Sequence, residues 1–199
     1  MVGFCGSRSL SSSFFGLVSR AVPAALAVHG AGAVGCAAGA DSLVLSAALA
    51  GGCASSFSVF ALPGRVSRFA GAGCRVVPSA VSIAGRGACV VRSVACVRSV
   101  AAAGGSWVAF VSSGACPAGV VPGGSWSSGG ASPSGSWSSC ALAAGLGLPV
   151  FVFWCAAGAP VLPGWVGGSW SLVLSGWAAG SWCWLPVRSP VTAAQLSLF

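Results

Sequence analysis

Two kinds of hydrophobic pattern alternate along the chain. Five short, nearly continuous apolar runs occupy residues 2–5, 31–36, 57–62, 106–111 and 148–154. They have strand length and little in-out alternation, the pattern of strands covered on both faces. Longer segments with apolar residues at helical spacing separate them, at residues 11–27, 42–50, 84–103 and 137–147. In the first of these, Phe14, Phe15, Leu17, Val18, Val22 and Leu26 make one face, and Pro23 predicts a kink. Residues 64–82 read as a loop carrying Arg65, Arg68 and Arg75, and residues 112–134 as a flexible Gly/Ser/Pro-rich loop.

Strands alternating with helices imply right-handed crossovers. The expected fold is therefore α/β: a doubly wound, Rossmann-like domain over residues 1–155, with a mainly parallel sheet of about five strands. Beyond Cys155 the pattern changes to a low-complexity extension, residues 156–190, rich in Trp, Gly, Ser and Pro. The tripeptide Gly-Ser-Trp recurs at 105–107, 124–126, 135–137, 168–170 and 180–182, with no fixed period, so it reflects bias rather than a solenoid. Strands near 169–174 and 181–187 are expected to pair as a hairpin against the domain, and residues 191–199 read as a flexible tail.

Composition narrows the picture. Of 199 residues, 56% are hydrophobic and 5% charged, which excludes ordinary disorder. The net charge is +8, carried by Arg without Lys, and points to anionic partners. Asp41 is the only side-chain carboxylate and His29 the only imidazole. The ten Cys form no CxxC pair, so no metal site is expected, and they read as reduced, buried residues of a cytoplasmic protein. No secretory signal is evident at the start of the chain. No charged residue lies between Arg98 and Arg188, and residues 140–165 are apolar enough to raise a small membrane protein as a rival reading. The glycines and prolines that interrupt them, Gly145, Pro149, Gly158 and Pro163 among them, favour a chain that does not span a membrane.

Three turns carry candidate chemistry. Gly6, Ser7 and Arg8 follow the first strand and precede a helix, where glycine admits a phosphate to the backbone and Arg closes over it. Gly35, Gly39, Ala40 and Asp41 follow the second strand. Asp41 there serves either as a cap of the next helix or as a hydrogen-bonding group for a sugar or base. Gly135 and Ser136 open the fourth helix. All three turns fall at the carboxyl edge of a parallel sheet, where α/β proteins bind ligands.

These segments, with Arg92 in the long helix and Ala144, Gly147, Pro149 and Val150 before the fifth strand, resemble the SLOG superfamily over roughly residues 2–154. That group of Rossmann-like domains includes DNA-processing protein A and the LOG phosphoribohydrolases. The resemblance implies a nucleotide, a nucleotide-derived signal or single-stranded DNA at the carboxyl edge, held by the turns above and Arg92. The LOG hydrolases carry a catalytic Glu after their glycine turn; here Trp137, Ser138, Ser139 and Cys140 follow, and the chain has no Glu. Glycosidic hydrolysis usually needs a carboxylate pair, and no nucleophile elbow accompanies His29 and Asp41. Binding without catalysis is therefore expected, with no cofactor beyond a nucleotide ligand, and a phosphoribohydrolase is the alternative. Arg65, Arg68, Arg75, Arg86, Arg92 and Arg98 would supply contacts to a nucleic-acid backbone.

The last five residues, Gln195, Leu196, Ser197, Leu198 and Phe199, match the QL(S/D)LF peptide by which bacterial replication and repair proteins dock on the DNA sliding clamp. Leu198 and Phe199 would fill an apolar groove while the Gln195 amide sets register. The expected partners are thus a bacterial sliding clamp and a nucleotide or single-stranded DNA, with self-association left open.

Overall fold

A computed structural model describes residues 1–65, 72–79, 85–112, 114–130 and 134–187. Among the described residues, eight strands form one sheet: β1 (Val2–Gly6), β2 (Gly32–Val34), β3 (Phe57–Ala61), β4 (Arg75–Pro78), β5 (Ser106–Val111), β6 (Val150–Trp154), β7 (Gly168–Leu172) and β8 (Trp182–Pro186). Their order is β4-β3-β2-β1-β5-β6-β8-β7. The first six are parallel; β8 runs antiparallel to β6, and β7 antiparallel to β8.

Helices α1 (Phe15–His29) and α2 (Ala40–Ala50) cover one face, and α3 (Arg86–Ala102) and α4 (Gly135–Gly145) the other. Strand pleating divides the side chains between two cores. Val108 and Phe110 of β5 join Val18, Val22 and Val44 on the first face, while Trp107, Ala109 and Val111 join Val97, Val100 and Leu142 on the second. Helix α1 is a single helix across Pro23. The chain builds outward from β1 to β4, then crosses back to β5 on the other side of β1. The strand order therefore reverses between β1 and β5, and the crevice at their carboxyl ends is the switch point.

The sheet has eight strands rather than about five, for two reasons. Within the segment read as a loop, residues 75–78 form β4, paired with β3 from Ser58↔Arg75 to Ala61↔Pro78. This strand is short, half-exposed and bounded by Arg75 and Pro78, features that weaken a sequence signal but suit an edge strand. The expected hairpin at 169–187 does form, and β8 also pairs with β6, with Phe151 opposite Cys183. Residues of the low-complexity extension thereby lengthen the sheet. Trp165 packs against Trp137, Trp170 and Trp184, and its indole N–H donates to Val120 O at 2.8 Å. These tryptophans are packing residues that fasten the hairpin to α4.

Among the described residues, no helix is long and apolar enough to cross a membrane, and no group of His, Cys, Asp or Glu is arranged to hold a metal.

Candidate functional site

A cavity of about 900 Å³ opens at the carboxyl ends of β1, β2 and β5. Three segments converge on it: Gly6 at the end of β1 with Ser7 and Arg8 after it, Gly35 and Asp41 around the start of α2, and Gly135 and Ser136 in the first turn of α4. Arg92 enters from α3. Gly39 and Ala40 support the wall without lining it.

Ser7 is the hinge of this arrangement. Its N–H donates to Phe110 O at 2.9 Å, its carbonyl accepts from Ala40 N at 3.1 Å, and its hydroxyl accepts from Ser112 N at 2.9 Å. The ends of β1 and β5 and the start of α2 are thereby tied together, and the Ser7 hydroxyl hydrogen stays available to a ligand. Gly39 makes the tie possible. Its φ is +72°, and a Cβ there would collide with the carbonyl oxygens of Ser7 and Arg8.

Asp41 lies in the first turn of α2 but makes no cap bond to that helix, whose cap position is Gly39. The Asp41 Oδ2 accepts from Ala37 N at 3.0 Å, closing the preceding turn, and from Arg92 Nη1 at 3.0 Å. Both partners of this ion pair are buried, Asp41 at 6% and Arg92 at 7% exposure, so the pair is shielded from water while lining the cavity. The guanidinium passes over Gly35, where any Cβ would overlap Nη1. Burial pushes the Asp41 carboxyl up, and the Arg92 guanidinium and the Ala37 N–H pull it back down. Desolvation works against the Arg92 charge, but the neighbouring Asp41 carboxylate raises its pKa, so Arg92 stays protonated.

Two donors in the wall have no hydrogen-bond partner among the described residues: Arg92 Nε and the Ser138 hydroxyl, both buried. Buried donors of this kind call for an acceptor. Ser138 lies in the first turn of α4, where backbone N–H groups and the helix dipole favour negative charge. Ser134 caps that helix, its hydroxyl accepting from Trp137 N at 3.4 Å. Cys96, also lining the cavity, is kept a neutral thiol because burial pushes it well above its ordinary value.

Sequence reasoning missed several lining residues. Ser93 comes from the exposed-to-buried boundary of α3, while Trp126 and Ser128 come from the loop before α4. The α3 residues were findable: Cys89 and Val90 sit three and four residues after Arg86, Ser93 four and three after those two, and Cys96 four after Arg92, on one helical face. Loop residues carry no such periodicity.

The arginines do not form one track. Arg8, Arg86 and Arg92 line the cavity. Arg65 donates to Cys36 O at 2.9 Å, Arg75 lies exposed on β4, and Arg98 is exposed further along α3; Arg68 is outside the described residues. His29 ends α1, at the opposite edge of the sheet from Asp41, with its ring edge-on to Trp177 at 5.5 Å. The Ser/His/Asp set that composition allows is therefore not assembled around these two residues. Gln195, Leu196, Ser197, Leu198 and Phe199 lie outside the described residues. Neither a family model nor a curated protein matches the chain, so the resemblance to the SLOG superfamily rests on these residues alone.

Proposed function

We propose that the protein is a binding module for a phosphate-bearing nucleotide unit, free or within single-stranded DNA, of the SLOG, Rossmann-like type. One observation carries the reading: three small-residue turns and Arg8, Arg86 and Arg92 meet at a single cavity of about 900 Å³ at the switch point of the sheet. Ligand pockets typically span about 300–1,000 Å³. The phosphate would sit at the α4 amino terminus, taking hydrogen bonds from Ser136 and Ser138, with Arg8 closing from the β1 turn. Asp41 is engaged by Arg92 and Ala37, which suits positioning better than acid-base work and favours binding over hydrolysis.

Titration of the full chain with nucleoside mono-, di- and triphosphates and with a single-stranded oligonucleotide, followed by tryptophan fluorescence, tests this. Binding is expected to weaken as salt rises. The Arg8→Ala change, at an exposed residue, should weaken it roughly tenfold or more, the worth of a charge-assisted hydrogen bond. No saturable binding across the panel would overturn the proposal. Preference for the oligonucleotide over the free nucleotides would identify DNA as the source of the phosphate.

Cytoplasmic recruitment to replication or repair sites through the sliding clamp is proposed from the pentapeptide at 195–199. A clamp pull-down should recover the wild-type chain and lose the Phe199→Ala variant, because that side chain is the terminal apolar anchor. Equal recovery of both would refute the docking.

A further inference from the structure

We propose that β7 is a self-association edge, at which two copies pair antiparallel about a twofold axis through Trp170. The two ends of the sheet differ. At one, β4 carries Arg75 and ends in Pro78, both of which block strand addition. At the other, β7 reads Gly-Ser-Trp-Ser-Leu, with neither a charge nor a proline. Val173 N donates to Ser181 O and Val187 N to Gly167 O, each at 2.9 Å, so odd-numbered residues of β7 bond inward to β8. Alternation along an antiparallel ladder then turns the N–H and C=O groups of Gly168, Trp170 and Leu172 outward.

Those outward groups are self-complementary. With Trp170 opposite the partner's Trp170, Gly168 meets the partner's Leu172 and Leu172 meets the partner's Gly168, so every outward donor faces an outward acceptor. Val166 lies in the turn just before β7 and Leu174 just after its end, so the same axis brings the end of β7 near Val166 beside the partner's end near Leu174. These are the two most exposed large hydrophobic residues among those described, at 85% and 83%. A twofold axis explains both at once, because such an interface presents the same patch twice.

Charge selects the same occupant. Copies of a chain with net charge +8 repel one another. The stretch between Arg98 and Arg188, which supplies β5 through β8, contains no charged residue, so two copies meet least repulsion here. An acidic partner would instead be drawn to the arginine-bearing elements β4 and α3. The outcome is one sheet continuous through two subunits.

Sedimentation velocity on the full chain, from micromolar concentration upward, should show a concentration-dependent shift from a 19.2 kDa monomer to a dimer. Leu172→Pro removes one outward N–H per subunit, and Leu172→Lys places like charges beside the pair. Each should raise the dimer dissociation constant by at least about tenfold. In case a variant misfolds, hydrogen exchange on the wild type provides an independent readout: the Gly168, Trp170 and Leu172 amides should gain protection with concentration. A monomer at every concentration, dimers that survive both folded variants, or amides whose exchange ignores concentration would each overturn the proposal.

Discussion

Replacing Arg92 with alanine is expected to destabilise the fold by about 3–5 kcal/mol, the usual penalty for stripping one partner from a buried ion pair. The reason lies in what remains. Asp41 is 6% exposed and would keep only the Ala37 N–H at 3.0 Å as a partner. Burial already pushes this carboxyl up, and without the guanidinium it rises further. A carboxyl whose folded-state pKa is raised supports stability below its unfolded value and withdraws that support as pH increases through the folded value. The deficit of Arg92→Ala should therefore be smallest below the ordinary carboxyl pKa of 3.8 and grow toward neutral pH. Urea denaturation of the variant and the wild type at several pH values measures it. A pH-independent loss under about 1 kcal/mol would mean that the pair behaves as an exposed surface bridge. Replacing both residues with apolar ones of similar volume should recover much of the stability while impairing the proposed nucleotide binding, which separates the structural part of the pair from its proposed place in the site.

The second large effect is expected at Trp184. Its side chain is 2% exposed and packs edge-on against Trp165 at 6.1 Å, where β8 joins β6. Trp184→Ala should lower stability by about 3–5 kcal/mol, the range for emptying a large aromatic site, and should shift the whole unfolding transition. Trp184→Phe should be much milder, because it keeps a ring in the site and removes an indole N–H that has no partner. If the hairpin were a separate appendage, the alanine variant would leave the main transition in place. Thermal melts followed by near-ultraviolet dichroism distinguish the two results, since Trp137, Trp165 and Trp170 all report on this cluster.

The β-strand and helix periods of residues 2–61 and 86–154 were plain in the sequence, because burial on both faces leaves a continuous apolar run and a helix leaves a repeating stripe. Strand β4 was not, since four residues starting in Arg75 and ending in Pro78 carry no apolar period of their own; pairing with β3 makes them a strand. The hairpin was visible as two short runs, but nothing local says that β8 will pair with β6 rather than stand apart. That choice comes from Trp165, which packs against both Trp137 of α4 and Trp184 of β8, contacts between segments far apart in the chain.

The candidate site divides along the same line. Glycine and serine at the ends of strands mark where backbone can approach an anion, and this local chemistry could be read directly from Gly6, Ser7, Gly135 and Ser136. The ion pair could not: Arg92 and Asp41 are 51 residues apart, and only the crossover of α3 onto the second face brings them to 3.0 Å. By itself the sequence determined which segments of residues 2–61 and 86–154 become strands, helices and small-residue turns, because those follow from backbone stereochemistry and nearest-neighbour hydrophobic period. Only the tertiary structure decided that Asp41 is buried against Arg92, that β4 pairs with β3, that the arginines divide between cavity and surface, and that the Trp-rich segment extends the sheet. Each of these depends on desolvation and packing between residues distant in sequence.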